Sequence, residues 1–264
     1  MTKIVFLKNP SPDPESDSYA LAARSASCTS SFVPILSHDF VDQQGLIQYI
    51  QDIKAASNSS NPIDSLIITS QRAVEAVASA LQEITDLTVQ EYIRSLPVFT
   101  VGPATSSLIA SYGFTNILGG AEAGNGSILA SIISSLKPKY SRCVFFTGET
   151  HRMIIPKHLR ENGIECIEKI VYISVELSDA QFKFRELLDN HDQSIYLWTV
   201  FFSPSGALGI ANAIAKIRSE NTIHLKVAAI GPTTEEFLIK QGITPDAVAK
   251  KPDPNSLLSE ILNH

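Results

Sequence analysis

Val200-Phe-Phe-Ser-Pro-Ser-Gly206 and Val227-Ala-Ala-Ile-Gly-Pro-Thr-Thr-Glu-Glu236 share one pattern. In each, an apolar run of β type stops abruptly at small hydroxyl, Gly and Pro residues, and a helix-like stretch follows at once. That is the strand-turn-helix junction of an open α/β sheet, whose turns form ligand crevices. The first backbone N–H groups of such a helix lack intrahelical partners and carry partial positive charge. Ser203, Ser205, Gly231, Thr233 and Thr234 therefore stand where anions bind.

The same pattern occurs earlier in the chain. Ser65-Leu-Ile-Ile-Thr-Ser-Gln-Arg-Ala-Val74 parallels Val200 to Ala207, and Phe99-Thr-Val-Gly-Pro-Ala-Thr105 parallels Ala228 to Thr234. Gly102 and Gly231, Thr105 and Thr234, Gly113 and Gly242, and Ser127-Ile-Leu129 and Ser256-Leu-Leu258 all stand 129 positions apart. A weaker echo links Ile4-Val-Phe-Leu-Lys8 to Cys143-Val-Phe-Phe-Thr147. Repetition in a fixed register predicts an internal duplication of α/β lobes.

The 264 residues suffice for two small domains, each with its own core. At 44% hydrophobic and 18% charged, the usage is that of a globular protein. No apolar run approaches the length of a membrane span, and the N-terminus enters a strand pattern without a signal-peptide layout, so a cytosolic protein is expected. Cys28, Cys143 and Cys166 lack a CxxC pair or a His cluster, which argues for reduced thiols and against a metal site. A net charge of −6 offers no basic field for nucleic acid, so an anionic ligand must be held locally.

Read in order, Lys3–Leu7 is a buried-type strand, Tyr19–Ser27 a helix, Ser31–Leu36 one edge strand containing Pro34, and Asp42 the start of a helix through Ala55. Leu66–Thr69 and Val98–Val101 are strands. Ser70 is an N-cap, Ser106–Tyr112 a helix closed by Gly113, and Gly119–Gly126 a flexible loop before a helix over 127–136. Arg142–Thr147 is a strand, Ile155–Glu161 a helix ending at Gly163, and Ile167–Val175 a long strand. No GxGxxG directly follows a strand, so a dinucleotide fingerprint is a poor fit.

At Phe202-Ser-Pro-Ser-Gly206, Ala228 to Thr234, Ile68-Thr-Ser-Gln-Arg-Ala-Val74, Val101-Gly-Pro-Ala-Thr105, Phe32-Val-Pro-Ile-Leu36 and Ile170-Val-Tyr-Ile173, the chain resembles uroporphyrinogen-III synthases of eukaryotic type along nearly its whole length. One departure is Lys8, which stands where many members carry an Arg before a Pro. The resemblance implies two flavodoxin-like parallel-sheet lobes joined by a two-stranded connector, residues 1–35 with 174–264 and residues 36–173. It implies cyclisation of the linear tetrapyrrole hydroxymethylbilane by a monomeric, cytoplasmic lyase, without a cofactor. Thr69, Ser70, Arg72, Gly102, Thr105, Arg152, Ser203, Ser205, Gly231, Thr233 and Thr234 are the expected binding residues for the substrate carboxylates. Tyr172, on the long strand, is the expected donor to the departing hydroxyl, since a phenol stays protonated at neutral pH.

Ordinary roles compete with these. The Ser and Thr residues can be helix caps contributing about 1 kcal/mol each, Tyr172 a packing aromatic, and Arg72 and Arg152 solvated. Trp198 and the six His residues show no ligand or dyad spacing and are read as structural. A non-catalytic two-lobed protein for a small anion would share every junction. A sugar-phosphate isomerase-like enzyme should show an acid/base His or Glu near the turns, and the sequence shows none.

Overall fold

The structure, a computed structural model, describes residues 2–11, 13–191, 195–220 and 225–263, which leaves Pro12 of the first loop outside the described residues. The strands are β1 (Thr2–Leu7), β2 (Thr29–Phe32), β3 (Leu36–Phe40), β4 (Ser65–Ile68), β5 (Val98–Val101), β6 (Ile117–Gly120), β7 (Arg142–Gly148), β8 (Glu165–Glu176), β9 (Tyr196–Phe201), β10 (Leu225–Ala229) and β11 (Ala247–Val248). The helices are α1 (Ser18–Ser25), α2 (Gln43–Ala55), α3 (Gln71–Glu83), α4 (Leu87–Ser95), α5 (Pro103–Ser111), α6 (Gly126–Ser135), α7 (Ile154–Glu161), α8 (Ala180–Asp189), α9 (Leu208–Glu220), α10 (Pro232–Lys240) and α11 (Pro254–Leu262). The chain divides into two compact units, Met1–Ser37 with Val175–His264, and His38–Ser174.

The first unit carries a sheet in the order β11-β10-β9-β1-β2, with all four pairings parallel. The second carries β8-β7-β4-β5-β6 in parallel, with β3 added beside β8. Both are the doubly wound 2-1-3-4-5 arrangement of flavodoxin-like folds; the second unit begins its chain at the third strand of that order. Sequence periodicity explains why the strands read as unbroken apolar runs. In β1, Ile4 and Phe6 enter one core while Val5 and Leu7 enter the other. In β7, Val144 and Phe146 face one helix layer while Cys143 and Phe145 face the other. A sheet covered on both faces buries both parities of its strands, and each large side chain so buried contributes roughly 1.5–3 kcal/mol.

The duplication is visible element by element: α5 and α10 begin and end 129 positions apart, Pro103–Ser111 against Pro232–Lys240.

Four expectations are corrected. Ser31–Leu36 is two strands, β2 ending at Phe32 and β3 starting at Leu36, because Pro34 has no N–H for a ladder. Gly119–Gly126 is not all loop: Ile117–Gly120 forms β6, its residues in register with Val98–Val101. Gly119 there adopts φ +85°, and a Cβ would sit 2.5 Å from the Thr100 carbonyl, so the residue that reads as a loop signal is required for close strand approach. The helix after β5 starts at Pro103 rather than Ser106, since proline fits the first helical turn. Ser203 to Gly206 are not a helix N-terminus, because six residues separate β9 from α9 at Leu208.

Candidate functional site

In an open α/β sheet the ligand crevice lies beyond the carboxyl ends of the strands, where the strand order reverses. In the second unit that point is between β7 and β4, and a cavity of about 540 Å³ opens there. Its walls include Thr69 after β4, Asn125 and Ser127 at the start of α6, Phe145 of β7, and His151 and Arg152 in the turn before α7. Asn125 caps α6 by accepting from the Ile128 N–H at 3.0 Å. Arg152 is exposed and carries a guanidinium to the rim. Hydroxyl and guanidinium thus meet above one apolar floor, a donor set suited to carboxylates.

Of the expected binding residues in this unit, Thr69 and Arg152 line the cavity. Ser70 is used locally, its hydroxyl accepting from the Ala73 N–H at 3.3 Å as the cap of α3. Arg72 is paired with Glu75 at 2.7 Å, one helical turn on. Gly102, at φ +79°, caps α5 without a side-chain hydrogen bond and donates its own N–H to the Gly120 carbonyl at 2.8 Å. Thr105, in the first turn of α5, is only 7% exposed.

Tyr172 sits on β8 outside that cavity lining, half-buried against the larger core of its unit. Its ring meets His38 edge-on, 5.9 Å between centroids and 84° between planes. His38 Nδ1 lies 3.1 Å from the Ser174 hydroxyl. Burial pushes the His38 imidazole below its usual value, the Arg72 charge pushes the same way, and Glu75 and Asp39 oppose them. On the other side of Tyr172 stands Gly148, where a Cβ would come within 2.6 Å of the tyrosine Cζ and 2.9 Å of its hydroxyl. Only a residue without a side chain leaves that ring where it is.

The reading that no acid/base His or Glu lies near the turns is overturned. His151 Nε2 stands 2.7 Å from Glu168 Oε2, and both residues are largely enclosed. They stand 17 positions apart in sequence, across turn, helix and strand, and it is the parallel pairing of Phe145 with Glu168 that joins them. No local spacing carries that signal. Asn125, in contrast, was legible as a cap from its place just before the apolar run of α6.

In the first unit the corresponding strand, β1, ends at Leu7, and Lys8 follows it. Its ammonium bonds Asp17 at 2.6 Å and lies over the rings of Phe32, Tyr19 and Phe202 at 5.1, 5.3 and 5.8 Å. Asp17 is 1% exposed. Burial alone would raise its carboxyl, but bonds from Lys8, the Tyr19 N–H and Ser11 outweigh that and hold it below the usual value. Ser203 donates to the Ser205 carbonyl at 3.4 Å within its turn. Gly231 caps α10 with no side-chain hydrogen bond, Thr233 is exposed and Thr234 is 3% exposed. Among the described residues no helix is long and apolar enough to cross a membrane.

Comparison with known proteins bears on these features. A family model described as "Uroporphyrinogen-III synthase HemD" matches residues 17–259. A uroporphyrinogen-III synthase of Saccharomyces cerevisiae is 37% identical over 98% of this chain and 95% of its own length. One from Schizosaccharomyces pombe is 30% identical over 93% of this chain and 91% of its own. The crystal structure of uroporphyrinogen-III synthetase from Helicobacter pylori superposes with a TM-score of 0.62 at 16% identity, covering 100% of this chain and 99% of that one.

Proposed function

This chain belongs to the uroporphyrinogen-III synthase family, and we propose that it cyclises hydroxymethylbilane to uroporphyrinogen III, inverting the last pyrrole ring and releasing one water. The observation that carries the proposal is the match to the yeast enzyme, 37% identical over 98% of this chain and 95% of its own length. A non-catalytic anion-binding role is not favoured by any relative.

The substrate carries eight carboxylates, and a protein of net charge −6 must meet them with local donors. In this reading Thr69 and Arg152 hold carboxylate side chains in the cavity of the second unit. The first turns of α5 and α10, which follow Gly102 and Gly231 and have no side-chain cap, offer anion sites of the same kind. Each charge-assisted bond contributes roughly 1.5–3 kcal/mol net. The chemistry requires departure of a hydroxyl activated by its pyrrole and control of the resulting azafulvene-like cation, so it calls for a placed proton donor more than for a nucleophile. Tyr172 is that donor: its phenol is fixed between His38 and Gly148. We further place the enzyme in the cytosol as a monomer, which sedimentation at assay concentration checks.

The test is to mix the protein with freshly prepared hydroxymethylbilane and resolve the product isomers. Type III product supports the reading, and only the spontaneous type I isomer sinks it. Tyr172→Phe should lower kcat by up to about 100-fold, the lower end for general-acid help, with type III selectivity retained.

A further inference from the structure

The turn between β7 and α7 is tied down by one side chain. His151 Nδ1 lies 2.9 Å from the Gly148 carbonyl, and its Nε2 lies 2.7 Å from Glu168 Oε2. Its ring stands edge-on to Phe145, 5.7 Å between centroids. The peptide it grips is the one against Tyr172: Gly148 pairs with Tyr172 across the β7–β8 ladder, just where the register slips, and the Glu149 N–H donates to the Tyr172 carbonyl at 3.0 Å.

Both partners of the imidazole are acceptors, a carbonyl and a carboxylate. A neutral imidazole carries one N–H and can serve only one of them; the doubly protonated ring serves both. The charged groups around it fit that form. Glu168 on β8 is the counter-ion, Arg160 of α7 reaches the other Glu168 oxygen at 3.8 Å, and Glu149 and Arg152 flank His151 in its own turn. Asn125 and Ser127, which share the cavity, are uncharged.

We infer that His151 is a positioning residue for Tyr172, acting in its doubly protonated form through the Gly148 peptide, with Glu168 as the group that keeps it so. The inference rests on the role given above to Tyr172. His151 does not touch the reacting atoms; it sets where the phenol stands, and its loss shows in kcat rather than KM.

The experiment uses the full chain and has a readout independent of turnover. Nitrogen-15 NMR of the histidine rings, with the His151 signals assigned by their absence in His151→Gln, should show both ring nitrogens carrying hydrogen at neutral pH. In Glu168→Gln the amide can donate to Nε2, so the ring should relax to a single-proton tautomer. A wild-type His151 with one proton at neutral pH overturns the inference, whether or not the protein proves to be a synthase. In steady-state assays His151→Gln should lower kcat about 10-fold with KM within about twofold, the scale of a small misplacement of a catalytic group. Placing it on Tyr172→Phe should add nothing, because both act through one phenol. Full multiplication of the two losses, or a kcat loss in His151→Gln when Tyr172→Phe is unimpaired, also overturns it. If no type III product forms at all, the reaction assignment fails while the NMR arm still decides the state of His151.

Discussion

The two units share a strand order but finish it in opposite ways. In the first, Lys8 directly follows β1, and its ammonium pairs with Asp17 amid three aromatic rings. In the second, the corresponding β7 ends in Thr147 and Gly148, and a cavity of about 540 Å³ is lined by Phe145 of that strand and by His151 and Arg152 of the turn after it. Duplication copied the skeleton, while the residue after Leu7 is a lysine and its counterpart after Phe146 is a threonine. The proposed division of roles is that the polar residues there serve stability in the first unit and binding in the second. Substitutions that mix those roles are the way to break the comparison.

The largest effect is expected at Asp17. Asp17→Asn leaves the Lys8 ammonium without its counter-ion among aromatic rings and should destabilise the protein by about 3 kcal/mol, the lower end for removing one partner of a buried pair. The pH dependence has a definite sign. The folded-state carboxyl is held below its ordinary value, so its contribution is complete above about pH 4 to 5 and is lost as pH falls through the lower folded value. Urea midpoints measured from pH 6 to pH 3 should fall steeply in the wild type and less so in Asp17→Asn. Parallel lines would show that the pair contributes nothing.

Glycine substitutions sharpen the comparison next. Gly148→Ala puts a methyl where the Tyr172 ring lies and should cut kcat about 100-fold, as a displacement near 1 Å can. Gly206→Ala in the first unit meets the Ile35 carbonyl at 2.7 Å from φ +69°, and should cost roughly 1–3 kcal/mol of stability with kcat nearly unchanged. Thermal melts and kcat measured on both proteins decide this; swapped phenotypes would refute the division of roles.

How much of this was legible beforehand follows from the range of each signal. The repeat, the α/β class and most strands were readable, because burial on both sheet faces writes itself as continuous apolar runs and the 129-residue register needs no structure. The β6 strand was hidden because Gly119 and Gly120 speak locally for a loop, while their reason is the crowding of Thr100 and Leu129 around Gly119. Ser203 and Ser205 were misplaced as helix-end residues because Ser-Pro-Ser-Gly reads the same whether a helix starts at once or six residues later. The His151–Glu168 pair was invisible, since only strand pairing creates it.

Arginine provides the next smaller test. Arg152 is exposed and lines the cavity, and Arg152→Ala should raise KM about 10-fold, the lower range for one charge-assisted bond at an exposed site. Arg72 is already engaged with Glu75, so Arg72→Ala should leave KM within about twofold, an exposed helical pair being worth only tenths of a kcal/mol. Equal KM effects would mean that Arg72 leaves its partner to meet the substrate.

The smallest expected effect lies at the helices that the duplication made alike. Both α5 and α10 start from a glycine with no side-chain cap, whereas α3, α6 and α11 are capped by Ser70, Asn125 and Asp253. Open first-turn amides are costly unless water or a ligand meets them, so a cap supplied by mutation competes with any anion bound there. Gly231 is the clean place to try it: its φ of 169° is extended backbone open to any residue, and nothing lies within 4 Å of a new Cβ. Gly231→Ser should stabilise the protein by roughly 0.5–1 kcal/mol as a helix cap. It should also raise KM about threefold, because the new hydroxyl occupies an amide that a substrate carboxylate would use. Gly102 is a poorer site, since its φ of +79° strains a serine and would lower stability whatever the ligand does. A Gly231→Ser protein that is more stable with an unchanged KM would show that the amides of α10 meet only water, and carboxylate binding would then belong to the cavity of the second unit alone.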